Sequence, residues 1–401
     1  MKIREYLNRR VMLASLFLLF LTIYYSEQKQ IDFAVFWSAG HAAINGKNPY
    51  SIAVQEASGW HMFVNSPSSL LFFGLIGLFP LSIASYIFRI LSIIAMMMAA
   101  KILHETFDVP KYLIYTVFLL SVPFRTTIGS GQVGLFVLLS TVKLTSQFYK
   151  QEDTLKIKDL TIAILCCFTI LSFKPYMFIG VAIYLFIKKK FLILTYAIAF
   201  FIGSTLILSM KYNLLSYWLS NLESVGRVTL LESNNSSIIA LSNRVTNQLW
   251  LAITIYILVN LFLIIKLITN QHNSVQILVM LFLCITLSPY VHHQDYLVII
   301  FNSILIHYLF NITNIRKLDS FVAVGLQPNS LAFTLLYEAW KLIDSNKKNY
   351  SMIISISAII LSLLSAIFWH SNYQLAAFIV YDLTYLFWML TLIYTTTKKL
   401  C

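Results

Sequence analysis

Apolar runs near membrane-span length, broken by short polar and basic stretches, recur from residue 11 to residue 394. A transmembrane helix needs about 20 apolar residues. On that measure the pattern predicts span 1 at 11–25, span 2 at 83–103, span 3 at 111–126, and span 4 from after Gln132 to 148. Span 5 is expected at 159–173 and span 6 from after Pro175 to Lys188-Lys189-Lys190. Spans 7, 8, 9 and 10 are expected at 191–209, 247–268, 274–288 and 296–310, and spans 11 and 12 at 351–369 and 374–394. Ser66 to Phe79 is apolar but short and closes on Pro80, so it reads as a helix lying along or dipping into an interface. Residues 330–343, SLAFTLLYEAWKLI, alternate as an amphipathic surface helix does.

Charge orients this pattern. Lys2, Arg4, Arg9 and Arg10 precede span 1, and Lys188 to Lys190 follow span 6. Lys and Arg concentrate on the cytosolic side of membrane proteins, which leaves residues 26–82 and 210–246 outside and both termini inside. The fold expected is an all-α polytopic membrane protein with about twelve transmembrane helices and outer-face interfacial helices. The organisation expected is a membrane module over 1–310, a cytosolic amphipathic connection over 311–350 and a terminal helix pair over 351–401.

Composition agrees. Of 401 residues, 59% are hydrophobic and 11% charged, and the mean hydropathy is +0.77. A soluble domain carries roughly 25% charged residues. The net charge of +13 would suggest nucleic acid in a soluble chain, but loop lysines between apolar runs explain it, so no nucleic-acid partner is expected. Cys166, Cys167, Cys284 and Cys401 have neither metal-ligand nor disulfide-framework spacing. The basic start followed by an apolar run resembles a signal sequence without a small-residue cleavage site, and is expected to persist as span 1.

The unusual polar residues gather at the outer ends of the expected spans: Asp32, His41, His61, Arg89, Arg125, Gln132, Lys174, Asn234, Arg244, His292, His293 and Asp295. Ionisable residues at a membrane edge mark functional sites or snorkel to the interface. Snorkelling suits Arg89 and Lys211; it suits Lys174 less, because Pro175 follows and only a minimal loop separates spans 5 and 6. The stretch Ile31 to Tyr50, IDFAVFWSAGHAAINGKNPY, opens on an acid where span 1 should leave lipid and closes on an Asn-Pro-Tyr turn. Two readings of Asp32 stand: the N-cap of a short interfacial helix, or a functional acid.

The ordered set of outer-edge motifs resembles the family-87 membrane glycosyltransferases, polyprenyl-phosphate-sugar-dependent enzymes of the C-type superfamily. The stretches are Asp32 to Gly40 with Gly46 to Tyr50, Gly131-Gln132, Lys174-Pro175, Asn234/Asn235 to Arg244, and Ser288-Pro289 with His292-His293. Departures are Ser66-Pro67 for a proline pair, Gly131-Gln132-Val133-Gly134 for Gly-Gln-x-Asn, and no tryptophan after Ser288-Pro289.

The resemblance implies a C-type glycosyltransferase fold and transfer of a sugar, mannose in the family's known members. The donor would be a polyprenyl-phosphate sugar, and the acceptor a hydroxyl of a glycolipid or glycan on the outer face of the cell membrane, in cell-envelope glycolipid biosynthesis. It also implies that Asp32 is the catalytic acid of the motif. Such transfer needs a base for the acceptor proton. Of the acids, only Glu27, Asp32, Glu56, Glu223, Glu232 and Asp295 fall outside on this topology, and Asp32 alone sits at a membrane edge inside a motif. Lys174, Arg244, His292 and His293 are the candidates to hold the departing phosphate. Trp37, Tyr50, Gln132, Asn234 and Asn235 are the candidate substrate-binding residues. No cofactor or metal is expected, although a His pair could instead bind a metal or take the proton. A polytopic transporter or lipid flippase with an outer polar cavity is the competing class, and an inactive structural relative is a third. Inverted repeats, a mark of many transporters, are not visible in the chain.

Overall fold

The computed structural model describes residues 30–51, 63–107, 114–115, 122–149, 156–210, 213–229, 237–270 and 273–288. Expected spans 1, 10, 11 and 12, the amphipathic stretch 330–343 and the proposed connection over 311–350 lie outside the described residues. Within them every regular element is helical and no strand occurs.

The helices in chain order are α1 (Ile31–Ile44), α2 (Leu70–Gly77, entered through a 3-10 turn at Pro67–Ser69), α3 (Leu81–Phe107) and α4 (Val122–Ser130). Then come α5 (Gly134–Tyr149), α6 (Ile157–Phe173), α7 (Pro175–Ile187) and α8 (Phe191–Ser209). The last are α9 (Leu214–Thr229), α10 (Ile238–Thr246), α11 (Leu249–Thr269) and α12 (Asn273–Thr286). Among the described residues α3, α8 and α11 are long and apolar enough to cross a membrane. They coincide with expected spans 2, 7 and 8. The described part of the chain is thus all-helical, with helices suited to a membrane.

Side-chain contacts fix the direction of each helix. Take the Gly131 end as the top. α5 descends, and Gln147 Nε2 at its lower end donates to the Asp159 carbonyl near the start of α6 (3.1 Å). α6 rises until Phe173 faces Phe136 near the top, ring centroids 6.3 Å apart. α7 descends again, since Tyr184 near its end lies 5.2 Å from Phe148. The turn from α6 into α7 is one residue, Lys174, with φ −142° and ψ 69°. Pro175 occupies the first position of α7, where its missing N–H has no partner to lose.

The neighbouring helices follow the same axis. α3 descends from Phe88, 5.5 Å from Phe136, to Thr106, whose hydroxyl bonds that of Ser146 (2.6 Å). α12 rises from Asn273, which donates to the Phe148 carbonyl (2.6 Å) and accepts from the Tyr184 hydroxyl (3.1 Å). α11 and α12 are clasped near the top. Asn260 Nδ2 donates to the Thr286 carbonyl, and the Thr286 hydroxyl donates back to Asn260 Oδ1. Reciprocal polar bonds of this kind hold helices together where lipid offers no hydrophobic drive.

Lys156 and Lys158 before and in the first turn of α6, Lys188 to Lys190 after α7 and Lys266 in the last turn of α11 therefore all belong to the lower end. The lower end is the basic end.

Two local readings change, the end of span 3 and the loop 210–246, while the stretch after Ser66 is the short helix expected. Span 3 was expected to stop near 126, but α4 runs through Pro123 to Ser130. What ends it is Gly131, at φ +75°. The Gly131 and Gln132 amides both return to the Thr127 carbonyl, a left-handed glycine termination. The apolar stretch after Ser66 forms a helix of 8 residues, about 12 Å long and too short to cross a core of about 30 Å. The expected outer loop 210–246 contains two helices, α9 and α10. In α9, Leu214 and Trp218 are buried one turn apart while Tyr217, Leu219 and Leu222 face outward, a stripe too narrow to register as a span.

Candidate active site

Asp32 lies in the first turn of α1 and is half-buried. It is not the N-cap. Gln30 holds that position, and no side chain caps the helix. Among the described residues the Asp32 carboxylate makes no hydrogen bond or ion pair. A carboxylate in a first helical turn faces unpaired N–H groups, an electrostatically favourable place for an anion.

Its neighbours in the chain are held tightly. Gln30 is 8% exposed. Its Nε2 donates to the Ile128 carbonyl (3.2 Å), and its Oε1 accepts from the Ser85 hydroxyl (2.6 Å). Gln30 thereby satisfies one of the carbonyls that the end of α4 leaves open. Phe33, fully buried, stacks on Phe88 with centroids 4.7 Å apart. Gly131 touches the same residue: a Cβ there would lie 2.4 Å from Phe33 Cβ. The motifs at Asp32 and at Gly131-Gln132, far apart in sequence, thus meet in space, and Gln132 is half-buried beside the junction.

Lys174 is 7% exposed. Its N–H donates to the Ile170 carbonyl, its carbonyl accepts from the Met177 amide, and its ammonium lies 5.7 Å from the centre of the Tyr176 ring. The turn is bound to the segment before α2. Asn65 Nδ2 donates to the Phe173 carbonyl (3.3 Å), Ser66 Oγ to the Ser172 carbonyl (2.8 Å), and Ser68 Oγ to Ser172 Oγ (2.9 Å). Between the two chemical groups runs an aromatic layer. Phe33 meets Phe88, Phe88 meets Phe136, and Phe136 meets Phe173. Asp32, Gln132 and Lys174 consequently share the top of the bundle, opposite the basic end.

Two of the expected substrate-binding residues are engaged in the scaffold. Trp37 Nε1 donates to the Phe79 carbonyl (2.9 Å), and its ring stacks on His41 at 4.9 Å. His41 Nδ1 meets the Gly77 carbonyl, a contact that makes it the protonated nitrogen, and Asn45 Nδ2 then donates to Nε2. The Tyr50 hydroxyl donates to the Asn65 carbonyl (2.8 Å) and is 4% exposed. Burial pushes its pKa well above the usual phenol range. These residues lock α1 and the loop after it onto α2 and the turn below Lys174. The α1–α2 crossing is close because Gly40 and Gly77 carry no Cβ; one at Gly40 would fall 2.0 Å from the Phe73 carbonyl oxygen.

Asn234, Asn235, His292 and His293 lie outside the described residues, as does the side chain of Arg244, whose backbone is in α10. α12 ends at the top with Ser288 fully buried, and the Leu287 carbonyl accepts from the Tyr256 hydroxyl. Among the described residues no three His, Cys, Asp or Glu side chains are grouped so as to hold a metal ion. Gln30 escaped the sequence reading: an uncharged residue just before a motif gives no local sign of partners 55 and 98 positions away.

Residues 63–292, more than half of the chain, match the model of glycosyltransferase family 87. No curated protein and no solved structure matches. The match covers Ser66-Pro67, Gly131-Gln132, Lys174-Pro175, Asn234 to Arg244 and His292. It begins after Asp32, but the bonds of Gln30 and the Gly131–Phe33 contact join that residue to the matched part. The helical membrane architecture and the match together make the chain a member of glycosyltransferase family 87, a membrane glycosyltransferase acting on a donor and an acceptor within a lipid bilayer.

Proposed function

We propose that this enzyme transfers a sugar from a polyprenyl-monophosphate donor to a hydroxyl of a glycolipid or glycan on the outer face of the cell membrane. By resemblance to the family's known members the sugar is mannose. The observation that carries the reading is the sharing of one bundle end by Asp32, Gln132 and Lys174, with the lysine-rich loops at the other. Lysine-rich ends stay cytosolic, which supports the reading of an outer site in a chain of about twelve spans with both termini inside. A nucleotide sugar, made in the cytosol and lacking a lipid tail, suits neither that side nor that depth.

In this reading Asp32 accepts the proton of the acceptor hydroxyl as its oxygen attacks the anomeric carbon. The bond from that carbon to the phosphate oxygen breaks, and polyprenyl monophosphate departs. Lys174, with Arg244, His292 and His293, balances the charge of the departing phosphate. A single displacement inverts the anomeric configuration. Gln132, Asn234 and Asn235 contact the substrates, while Trp37 and Tyr50 act by holding the loop that frames them.

The test is transfer by purified protein in liposomes supplied with a defined polyprenyl-monophosphate sugar. Asp32→Asn should cost about 10²–10⁴-fold in rate with folding and donor binding kept. A loss below tenfold would reject Asp32 as the base. Transfer from a nucleotide sugar, with no lipid phosphate present, would overturn the donor assignment. Passage of the lipid-phosphate sugar across the bilayer without transfer would assign the chain to the transporter class.

A further inference from the structure

We propose that Gln30 is the positioning residue for Asp32, a role that rests on the base assignment above. The Asp32 carboxylate makes no bond of its own among the described residues, so its location follows from the backbone on either side. On the C-terminal side, Phe33 is wedged between Phe88 and the bare Cα of Gly131. On the N-terminal side, among the described residues, the polar ties are those of Gln30: Nε2 to the Ile128 carbonyl and Oε1 from the Ser85 hydroxyl. These two bonds reach two different helices, α4 and α3. One side chain thereby sets where α1 begins relative to both, and also sets the spacing between Asp32 and Gln132, four residues beyond Ile128. Hydrogen bonds in a site of 8% exposure are not readily exchanged for water. Either partner left unpaired there would draw the first turn toward another donor or acceptor. A displacement of about 1 Å in a reacting group can cost about 10²-fold in rate.

The residue acts through Asp32 and touches no substrate, so its removal should appear in kcat and not in donor affinity. Gln30→Met keeps length and volume and removes both bonds. It is expected to lower kcat by about ten- to a hundredfold with donor KM within about threefold and the thermal midpoint in detergent near that of wild type. Gln30→Glu keeps an acceptor for Ser85 but sets a second acceptor against the Ile128 carbonyl, so it should not recover that loss. Ser85→Ala removes one bond and should cost less than Gln30→Met, again in kcat. An unchanged kcat in Gln30→Met, or a loss carried by KM, would overturn the proposal. Should Gln30→Met not fold, Ser85→Ala decides, and an unchanged kcat there overturns it as well. Asp32→Asn, assayed in parallel, separates the two readings. If it is inactive while Gln30→Met keeps full kcat, the base stands and the positioning role falls. If Asp32→Asn keeps full activity, the base assignment itself falls, whatever Gln30→Met does.

Discussion

Gly131→Ala should damage the enzyme, whereas Gly129→Ala, two residues earlier and inside α4, should not. At Gly131 the backbone has φ +75°, which costs a residue with a Cβ about 1–2 kcal/mol. The new methyl would also lie 2.4 Å from Phe33 Cβ and 3.3 Å from Gln30 Cβ. Carbon atoms rest about 3.5–4.0 Å apart, so Phe33 would have to retreat by more than about 1 Å. It has nowhere to go, being fully buried against Phe88, and overpacking of this kind costs about 1–3 kcal/mol. Together the two effects come to about 2–5 kcal/mol. Their relief moves the turn that carries Asp32, for which about 10²-fold in rate is the expected scale. At Gly129 a methyl meets nothing within 4 Å among the described residues, and alanine in a helix is better than glycine by about 0.5–1 kcal/mol. The assay is paired: thermal unfolding in detergent and initial transfer rate in liposomes for both variants. Gly131→Asn adds the discrimination, because asparagine tolerates positive φ but brings the same Cβ collision. Equal rates and midpoints for Gly131→Ala, Gly129→Ala and wild type would refute the packing argument. Full activity in Gly131→Asn beside a damaged Gly131→Ala would assign the cost to φ alone.

Lys174→Ala and His292→Ala should each weaken use of the lipid-phosphate donor, seen as a raised donor KM; unchanged affinity in both would remove them from the phosphate site. Activity should persist in EDTA, since fixed cations suffice for a monophosphate. Loss in EDTA that a divalent metal restores would instead make His292 and His293 candidate ligands. Reporter fusions at Asn48, Ser233 and Ser371 should all read as external, and a cytosolic signal at Ser233 would break the shared outer site.

Hydropathy made the long helices legible because a span is a local property: α3, α8 and α11 need only their own residues to be recognised. Lys174 was legible for a related reason, since a lysine and a proline between two apolar runs leave room for nothing but a turn. What remained hidden is tertiary. Trp37 and Tyr50 are candidate substrate contacts by sequence, and that their polar atoms meet the carbonyls of Phe79 and Asn65 is visible only in the fold. The extension of α4 past Pro123 was obscured because proline is well tolerated near a helix start, and the termination belongs to Gly131. Asp32 could be placed at a helix start from sequence, but whether it caps or follows the cap depends on Gln30, whose bonds close only when α3 and α4 arrive.

The bonds from Asn65, Ser66 and Ser68 to the tip of the α6–α7 hairpin, and the glycine contacts of α2 with α1, lie end to end along one path. Each link is a backbone contact or a short side chain bonded to backbone or to another short side chain, with no long flexible arm among them. The path therefore works as a gauge block: it fixes the gap between Asp32 and Lys174 the way a machinist's spacer fixes a jaw. On the proposed assignment a donor is measured against that gap. One phosphate between sugar and lipid fits a set length, while a second phosphate would have to force apart a frame that contains no spring.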